Sequence, residues 1–182
     1  MGLMDKVMTS NGGTSNPYGR AGFHIIRVER ITVREATADL KAAFMVDGRV
    51  LFTDREGGEY KTGSVIRFQD PCRYPDRTAA LIRRVVHAGK KSLFAMQGKT
   101  DKIDEMDLGL TRKEGESDDA FAARVGAEAN RLVGPDQPLV GSILVINATE
   151  KKNRNTGAPY TLFEPAVPAK DDLIRAGLVK AA

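Results

Sequence analysis

The feature that most constrains the fold of this chain is a change of phase in its first strand-like segment, FHIIRVERITVRE. The β-branched residues there predict a strand, yet Ile26 and Val28 share one alternating phase whereas Ile31 and Val33 share the other. Because strand side chains alternate with a period of two, all four can face one core only if an extra residue separates the pairs. We therefore predict a β-bulge near Glu29–Arg30. A long first strand bent at a bulge is typical of a small sheet that curls toward a barrel.

Further strand, turn and helix signals follow this segment. Asp47–Gly48 stands between two apolar runs and predicts a tight hairpin, since a type I′ turn needs positive φ at both central residues. Residues 59–70, EYKTGSVIRFQD, predict another strand. Apolar residues at three- and four-residue steps predict helices over 77–98 and, with Ser117 as its cap, over 117–133. A closing hairpin is expected from PLVGSILVINATEKK and APYTLFEPAV, its first strand buried on both faces.

The order of these elements predicts an α+β chain that is mainly β. Antiparallel strands with helices inserted as a block favour a small antiparallel β-barrel of the oligonucleotide-binding (OB) type, with the helical insertion between strands 3 and 4. Three parts are expected along the chain. They are a flexible Gly-, Ser- and Asn-rich arm at 1–22, an OB-fold domain at 23–168 whose helical and acidic insertion covers about 76–134, and a C-terminal helix or tail at 169–182.

Composition excludes several classes of chemistry. A single cysteine, Cys72, excludes an internal disulfide and a multi-thiolate zinc site, and only two histidines, His24 and His87, exclude a His-rich metal centre. The sequence also lacks the clustered carboxylates of two-metal chemistry and the glycine pattern of a phosphate loop. We therefore expect a protein that is not an enzyme and that needs no metal and no cofactor.

Hydropathy and charge indicate the cellular compartment of the protein and how its charge is distributed. No apolar run reaches the roughly 18 residues needed to cross a bilayer, and the first residues lack the apolar stretch of a secretory signal. We expect a cytoplasmic protein that does not enter a membrane. Its 28 Lys and Arg against 24 Asp and Glu give a net charge of +4, unevenly distributed. Acidic residues concentrate at 99–119, whose role the sequence leaves open, whereas cations concentrate in the first strand and the closing hairpin.

The closing hairpin carries the most informative set of candidate binding residues. Its tip holds Lys151, Lys152 and Arg154, and Tyr160 and Phe163 follow on the next strand. Cations that meet phosphates, beside flat rings that stack on bases, are what single-stranded nucleic acid requires. Two rings three residues apart face opposite sides of a regular strand, so at most one of them belongs to the core. The competing interpretation is that the rings only pack and that the lysines form a solvated turn.

A second candidate patch lies on the predicted sheet. Its members are Arg27, Arg30, Arg34, Arg67 and Phe68. Around the predicted bulge, Arg30 and Arg34 could line one outer face with Arg67 from the later strand. Tyr60 could stack on a base or close a loop. Solvent-side arginines opposite an apolar face are an equally good interpretation of this set.

Taken together, GFHIIRVERITVREA, YKTGSVIRFQD and PLVGSILVINATEKKNRNTGAPYTLFEP resemble phage-encoded single-stranded-DNA-binding proteins of the OB-fold type. The shared layout is a first strand through Val28–Val33, a G-S-x-V strand at Gly63–Phe68 that leads into a helical insertion, and a closing hairpin at Lys152–Thr161. The likeness covers most of residues 20–168. Its most specific element is the closing hairpin, with K-N-x-x-G at the tip followed by Y-T.

The resemblance implies a non-catalytic protein that coats and protects single-stranded DNA during phage DNA replication or recombination, in the host cytoplasm. It implies that Lys151, Lys152, Arg154 and Tyr160 contact the strand, with Phe163 and the strand arginines on or near the groove. RNA stays open as a ligand, as do homo-oligomers and contacts with replication or recombination proteins. A different class is a phage structural or assembly protein, in which a small β-barrel and the apolar run ILVI would mediate self-association.

Overall fold

The computed structural model describes residues 18–35, 42–55, 57, 60–70, 72, 74–98, 110–134, 136–154 and 156–180. Five strands and three helices occur in this part of the chain. They are β1 (Gly22–Arg34), β2 (Ala43–Thr53), β3 (Val65–Asp70), α1 (Pro75–Met96), α2 (Asp118–Leu132), β4 (Ile143–Lys152), β5 (Pro159–Ala166) and α3 (Lys170–Arg175). Residues 1–17 of the arm predicted at 1–22, and residues 99–109 of the acidic segment at 99–119, lie outside the described residues.

The five strands form one antiparallel sheet in the order β3-β2-β1-β4-β5. The long β1 is its centre and pairs with β2 on one side and β4 on the other. The sheet is not closed, so β3 and β5 are its two edges. α1 and α2 come between β3 and β4 in the chain. The predicted α+β class and the place of the helical insertion are therefore confirmed, whereas a closed barrel is not observed.

The predicted bulge in β1 is confirmed. Val28 pairs with Gly48 and Arg30 pairs with Asp47, so Glu29 has no opposite residue on β2. The extra residue reverses the alternation of the strand. As a result Ile26, Val28 and Ile31 are all buried in the same core, and Val33 packs against it.

The predicted hairpin at Asp47–Gly48 is wrong, because these residues lie inside β2 opposite the bulge. Gly48 is required there by close approach, not by a turn: a Cβ on it would lie 2.4 Å from Cδ1 of Ile26. Asp47 is buried, and its carboxylate accepts hydrogen bonds from Arg30 and Arg67. The sequence pattern indicated two short strands joined by a turn at Asp47–Gly48. The structure instead has one long strand, β2, in which this dipeptide lies opposite the bulge of β1.

Two apolar clusters cover the two faces of the sheet. The main core contains the inward side chains of the sheet and the buried faces of α1 and α2. A smaller cluster on the other side contains Ile25, Ile143 and Val145, against which Leu173 and Ala176 of the C-terminal segment pack. Leu144 and Ile146 alternate with these residues into the main core. The prediction that this strand is buried on both faces is confirmed.

The helices follow the sequence patterns that predicted them. α1 has Pro75 in its first turn, where the missing N–H costs no helical hydrogen bond. α2 is capped by Ser117, whose Oγ accepts a hydrogen bond from the Ala120 N–H at 3.3 Å. In the described end of the acidic segment, Glu116 bonds to Arg124, which lowers the pKa of Glu116 to about 2. None of the helices seen here is both long and apolar enough to span a bilayer.

Candidate functional site

A groove of about 980 Å³ opens at the gap between the two sheet edges, β3 and β5. Phe68 of β3 and Phe163 of β5 lie at its base with their ring centroids 5.5 Å apart. Both side chains are buried in the main core. The two edges therefore meet through side chains, and the groove lies above this contact.

The cationic tip of the β4–β5 hairpin forms one side of this groove. Lys151, Lys152 and Arg154 are exposed and line it. The tip is tight, because the Gly157 N–H donates to the Asn153 carbonyl at 2.8 Å and Gly157 has a φ of +68°. The cationic tip predicted for the closing hairpin is therefore a short, hydrogen-bonded turn that presents positive charge at the groove margin.

The two rings of β5 face opposite ways, as their spacing predicted. Phe163 is 4% exposed and belongs to the core, whereas Tyr160 is 42% exposed and lines the groove. Lys151 is paired with Tyr160 across the β4–β5 ladder, so a cation and a ring lie side by side at this margin. A flexible polyanion that carries flat bases could use both groups at once.

Two further exposed rings, which are not among the main candidate residues above, also line the groove. Tyr18 is 57% exposed and Tyr74 is 61% exposed. With Tyr160 they are the exposed aromatic side chains of the described residues. The composition offered one signal for these residues: the chain has four tyrosines and no tryptophan, so tyrosines are its main candidates for stacking on bases. Tyr18 stands just before β1 and Tyr74 just before α1. All exposed rings that the structure describes thus converge on one groove.

Arg30 and Arg67 of the predicted sheet patch meet on Asp47. The three residues form one row across β1, β2 and β3, and Arg67 Nε lies 2.7 Å from Asp47 Oδ1. Burial acts to raise the pKa of Asp47, but the hydrogen bonds from Arg67 and Arg30 outweigh it, so the pKa is lowered. The same hydrogen bond raises the pKa of Arg67. Two guanidinium groups on one carboxylate leave one net positive charge beside the groove.

The remaining members of the predicted patch lie apart from this row. Arg27 is exposed and pairs with Arg49 in the β1–β2 register, whereas Arg34 lies at the end of β1 opposite Ala43. Neither lines the groove. Phe68 points to the core face of the sheet, opposite to Arg67, and reaches the groove at its base.

Tyr60 is buried, although it is a candidate for base stacking. It is 5% exposed, and its hydroxyl donates to the main-chain carbonyl of Tyr18. The guanidinium carbon of Arg20 lies 4.7 Å from the centroid of its ring. Of the two roles considered for Tyr60, stacking on a base or closing a loop, the geometry fits the second.

Arg77 is a groove residue that the sequence placed only in a helix. Its Nε lies 3.3 Å from Oδ1 of Asp70, the last residue of β3. The other oxygen of Asp70 accepts a hydrogen bond from Thr78 Oγ1 at 2.8 Å. Asp70 therefore ties the start of α1 to the edge of the sheet and orients Arg77 toward the groove.

Two side chains with catalytic or metal-binding chemistry, those of Cys72 and His24, are held in structural contacts. The thiol of Cys72 has its pKa raised by burial and by the nearby Asp70. The His24 ring is buried between Thr53 Oγ1 and the Arg20 carbonyl, and burial lowers its pKa. Within the described ranges, no three His, Cys, Asp or Glu side chains come together as a metal site would require.

Comparison with known proteins adds no assignment: no family model matches the chain, and no curated protein sequence matches it. What the chain binds is therefore inferred from the groove itself.

Proposed function

We propose that this protein binds single-stranded DNA with little sequence preference in the groove between β3 and β5. The observation that carries the proposal is the convergence of Tyr18, Tyr74 and Tyr160 with the cationic hairpin tip on one open groove. A base stacked on an aromatic side chain contributes about 1–3 kcal/mol, and every base has a face that can stack. Rings and cations together suit an unpaired strand of any sequence.

The strand order supports an OB-type barrel as the scaffold for this function. β1 pairs with both β2 and β4, and the two outer strands, β3 and β5, approach each other through Phe68 and Phe163. The helical insertion falls between strands 3 and 4. A barrel of this type binds oligonucleotides on the face of strands 2 and 3 and on the loops that join strands 1 to 2 and 4 to 5. Here β3 and the β4–β5 hairpin line the groove.

Charge around the groove supports a polyanionic ligand. Lys151, Lys152 and Arg154 are exposed along one side, and Arg67 and Arg77 stand on the other. The positive charges of Arg67 and Arg77 are partly neutralised, because Arg67 forms an ion pair with Asp47 and Arg77 forms one with Asp70. The hairpin tip is therefore the main source of free positive charge for phosphates, and affinity should fall as salt rises.

The exposed rings favour a single strand over a duplex. In a duplex each base face is covered by its neighbours in the stack, so a protein ring can reach it only after the stack opens. In a single strand the faces are accessible to Tyr18, Tyr74 and Tyr160 without that cost. Coating and protection of single-stranded DNA in phage replication or recombination, without catalysis and in the host cytoplasm, is the role that fits this binding mode.

Self-association through the apolar strand is less well supported. The run Ile143–Ile146 is covered within the chain, on one side by the main core and on the other by the segment that includes α3. It offers no apolar surface to a second copy. The ground for an assembly protein is therefore weaker than the ground for nucleic-acid binding.

The proposal is tested by fluorescence anisotropy with a labelled oligonucleotide of mixed sequence. The single-stranded DNA, its RNA equivalent and the matching duplex are titrated at two salt concentrations. We expect the single strand to bind more tightly than the duplex, with an affinity that falls as salt rises. Equal or tighter binding of the duplex, or no binding of any of the three, would contradict the proposal.

A further inference from the structure

The short segment Tyr18–Ala21, here called the strap, lies along the free edge of β3 beside the groove. Tyr18 pairs with Arg67 as a parallel bridge, and the Gly19 N–H donates to the Arg67 carbonyl at 2.7 Å. Gly19 rests on the Phe68 ring so closely that a Cβ would lie 2.3 Å from Cε1 of that ring. The strap is therefore seated on the base of the groove and forms part of its wall.

Three side chains hold the strap from behind by bonding to its carbonyl oxygens. The pairs are Tyr60 Oη to the Tyr18 carbonyl, His24 Nε2 to the Arg20 carbonyl at 2.9 Å, and Arg55 Nε to the Ala21 carbonyl at 3.1 Å. Because a carbonyl only accepts, each of these side chains is the donor. So many bonds on four residues fix the path of the main chain at the groove margin.

Tyr60 is the member of this set that acts on Tyr18. Its ring is buried and covered by the Arg20 guanidinium, so its hydroxyl has a fixed direction. The Tyr18 ring, in contrast, is 57% exposed and projects from the main chain that this hydroxyl holds. The hydroxyl therefore sets the position from which an exposed ring enters the groove.

We infer that Tyr60 is a positioning residue for nucleic-acid binding, which holds the Tyr18 ring as a preformed stacking surface without touching the ligand. The inference rests on the proposed function. A surface that is already ordered loses less conformational entropy when the ligand binds, so the bond to Tyr18 adds affinity without adding a contact. Loss of this bond should weaken binding only through Tyr18.

A double-mutant cycle tests this coupling. Tyr60→Phe removes the hydroxyl and keeps the buried ring, and we expect about three- to tenfold weaker binding of single-stranded DNA. The salt dependence should not change, since no charge is removed. In a Tyr18→Ala background the main-chain carbonyl is still held, but the ring is gone. Tyr60→Phe should then have no further effect on affinity.

A stability control and a second way to move the strap complete the experiment. Ser117→Ala is the stability control, because it removes the cap of α2 away from the groove. It should lower the free energy of unfolding and leave the affinity for single-stranded DNA as in the parent. Gly19→Ala should displace the strap by its clash with Phe68 and reproduce the loss, again only when Tyr18 is present.

The outcomes distinguish the proposed binding of single-stranded DNA from the positioning role of Tyr60. If the unaltered protein binds no single strand, the proposed function is wrong and the positioning role falls with it. If it binds, but both Tyr60→Phe and Gly19→Ala bind as tightly as the parent, the positioning role alone is overturned. Equal losses with and without the Tyr18 ring would also overturn it, because they would mean that the bond only supports the fold.

Discussion

The guanidinium carbon of Arg77 lies 5.9 Å from the centroid of the Tyr160 ring, across the seam between α1 and β5. The distance is at the outer limit of a cation–π contact. The Asp70 carboxylate forms an ion pair with Nε of Arg77, so the guanidinium approaches the Tyr160 ring from a fixed side. Tyr160 therefore belongs to an ordered wall of the groove, even though the residue is 42% exposed.

Replacement of Tyr160 by alanine should weaken the binding of single-stranded DNA by about 1–3 kcal/mol, the usual contribution of one base stack. The fold should be retained, because Tyr160 lies outside the main core. Affinity is measured by anisotropy, with thermal unfolding as the check on structure. Val140→Ala, at another exposed apolar residue outside the groove, is the matched control and should bind like the parent. A folded Tyr160→Ala variant with parental affinity would reduce Tyr160 to a scaffold residue.

The cations of the hairpin tip should determine how strongly binding depends on salt. For a single strand the logarithm of the affinity falls by about 0.7 per log unit of salt for each phosphate neutralised. Lys151→Gln and Lys152→Gln together should therefore reduce this slope by up to about 1.4, if each lysine meets one phosphate. The measurement is a series of titrations over several salt concentrations.

A control at Lys170 separates local contacts from net charge. Lys170 is an exposed cation at the start of α3 and does not line the groove. Lys170→Gln should leave the salt slope as it is in the parent, and Tyr160→Ala should lower affinity without changing the slope. If Lys170→Gln reduces the slope as much as a hairpin variant, the charge of the whole protein, and not the hairpin tip, drives binding.

Several parts of this architecture could be predicted because they depend on local periodicity. The alternation of Ile26 and Val28 against Ile31 and Val33 requires one extra residue, whatever the rest of the chain does, and the bulge is found at Glu29. The opposite orientations of Tyr160 and Phe163 follow from the same period of two.

Other parts depend on approaches between distant segments, which a local pattern does not contain. Asp47–Gly48 carries the signal of a hairpin, and only the proximity of Ile26 reveals why a glycine stands there. Tyr18 and Tyr74 belong to no periodic segment, so their convergence on one groove requires the strap and α1 to be in place. The sequence leaves two roles open for Tyr60, stacking on a base or closing a loop, and the choice between them depends on its hydrogen bond to the distant strap.

Removal of the Asp47 carboxylate should lower the free energy of unfolding. Asp47→Asn leaves Arg67, whose side chain is only 17% exposed, without its ionic partner. Hydrogen bonds to charged groups contribute about 1.5–3 kcal/mol each, so a loss of about 2–3 kcal/mol is expected in denaturant titrations. Glu164→Gln is the matched control, since it breaks the exposed pair with Arg84 and should change stability by under about 1 kcal/mol. Equal effects of the two variants would contradict a structural role for the buried row.

The stability of the protein should fall as the pH drops below about 6.5, because His24 is held neutral in the fold. Burial is the main cause of its lowered pKa, and it outweighs the bond to the Arg20 carbonyl and the nearby Asp54. The unfolded chain binds a proton near the ordinary value of 6.5, whereas the folded chain binds it only at lower pH. Between these two values the unfolded state holds more protons, so stability rises with pH there.

The measurement is the midpoint of thermal unfolding at pH 7.5 and at pH 5.5 for the parent and two variants. His24→Gln removes the group that titrates. It should therefore reduce the difference between the unfolding midpoints at pH 7.5 and pH 5.5, even if it also changes the midpoint at each pH. His87→Gln removes the other histidine, which lies half-buried on α1, and should keep the difference. If the difference between the two conditions survives in His24→Gln, a group other than His24 causes the pH dependence and the prediction is wrong.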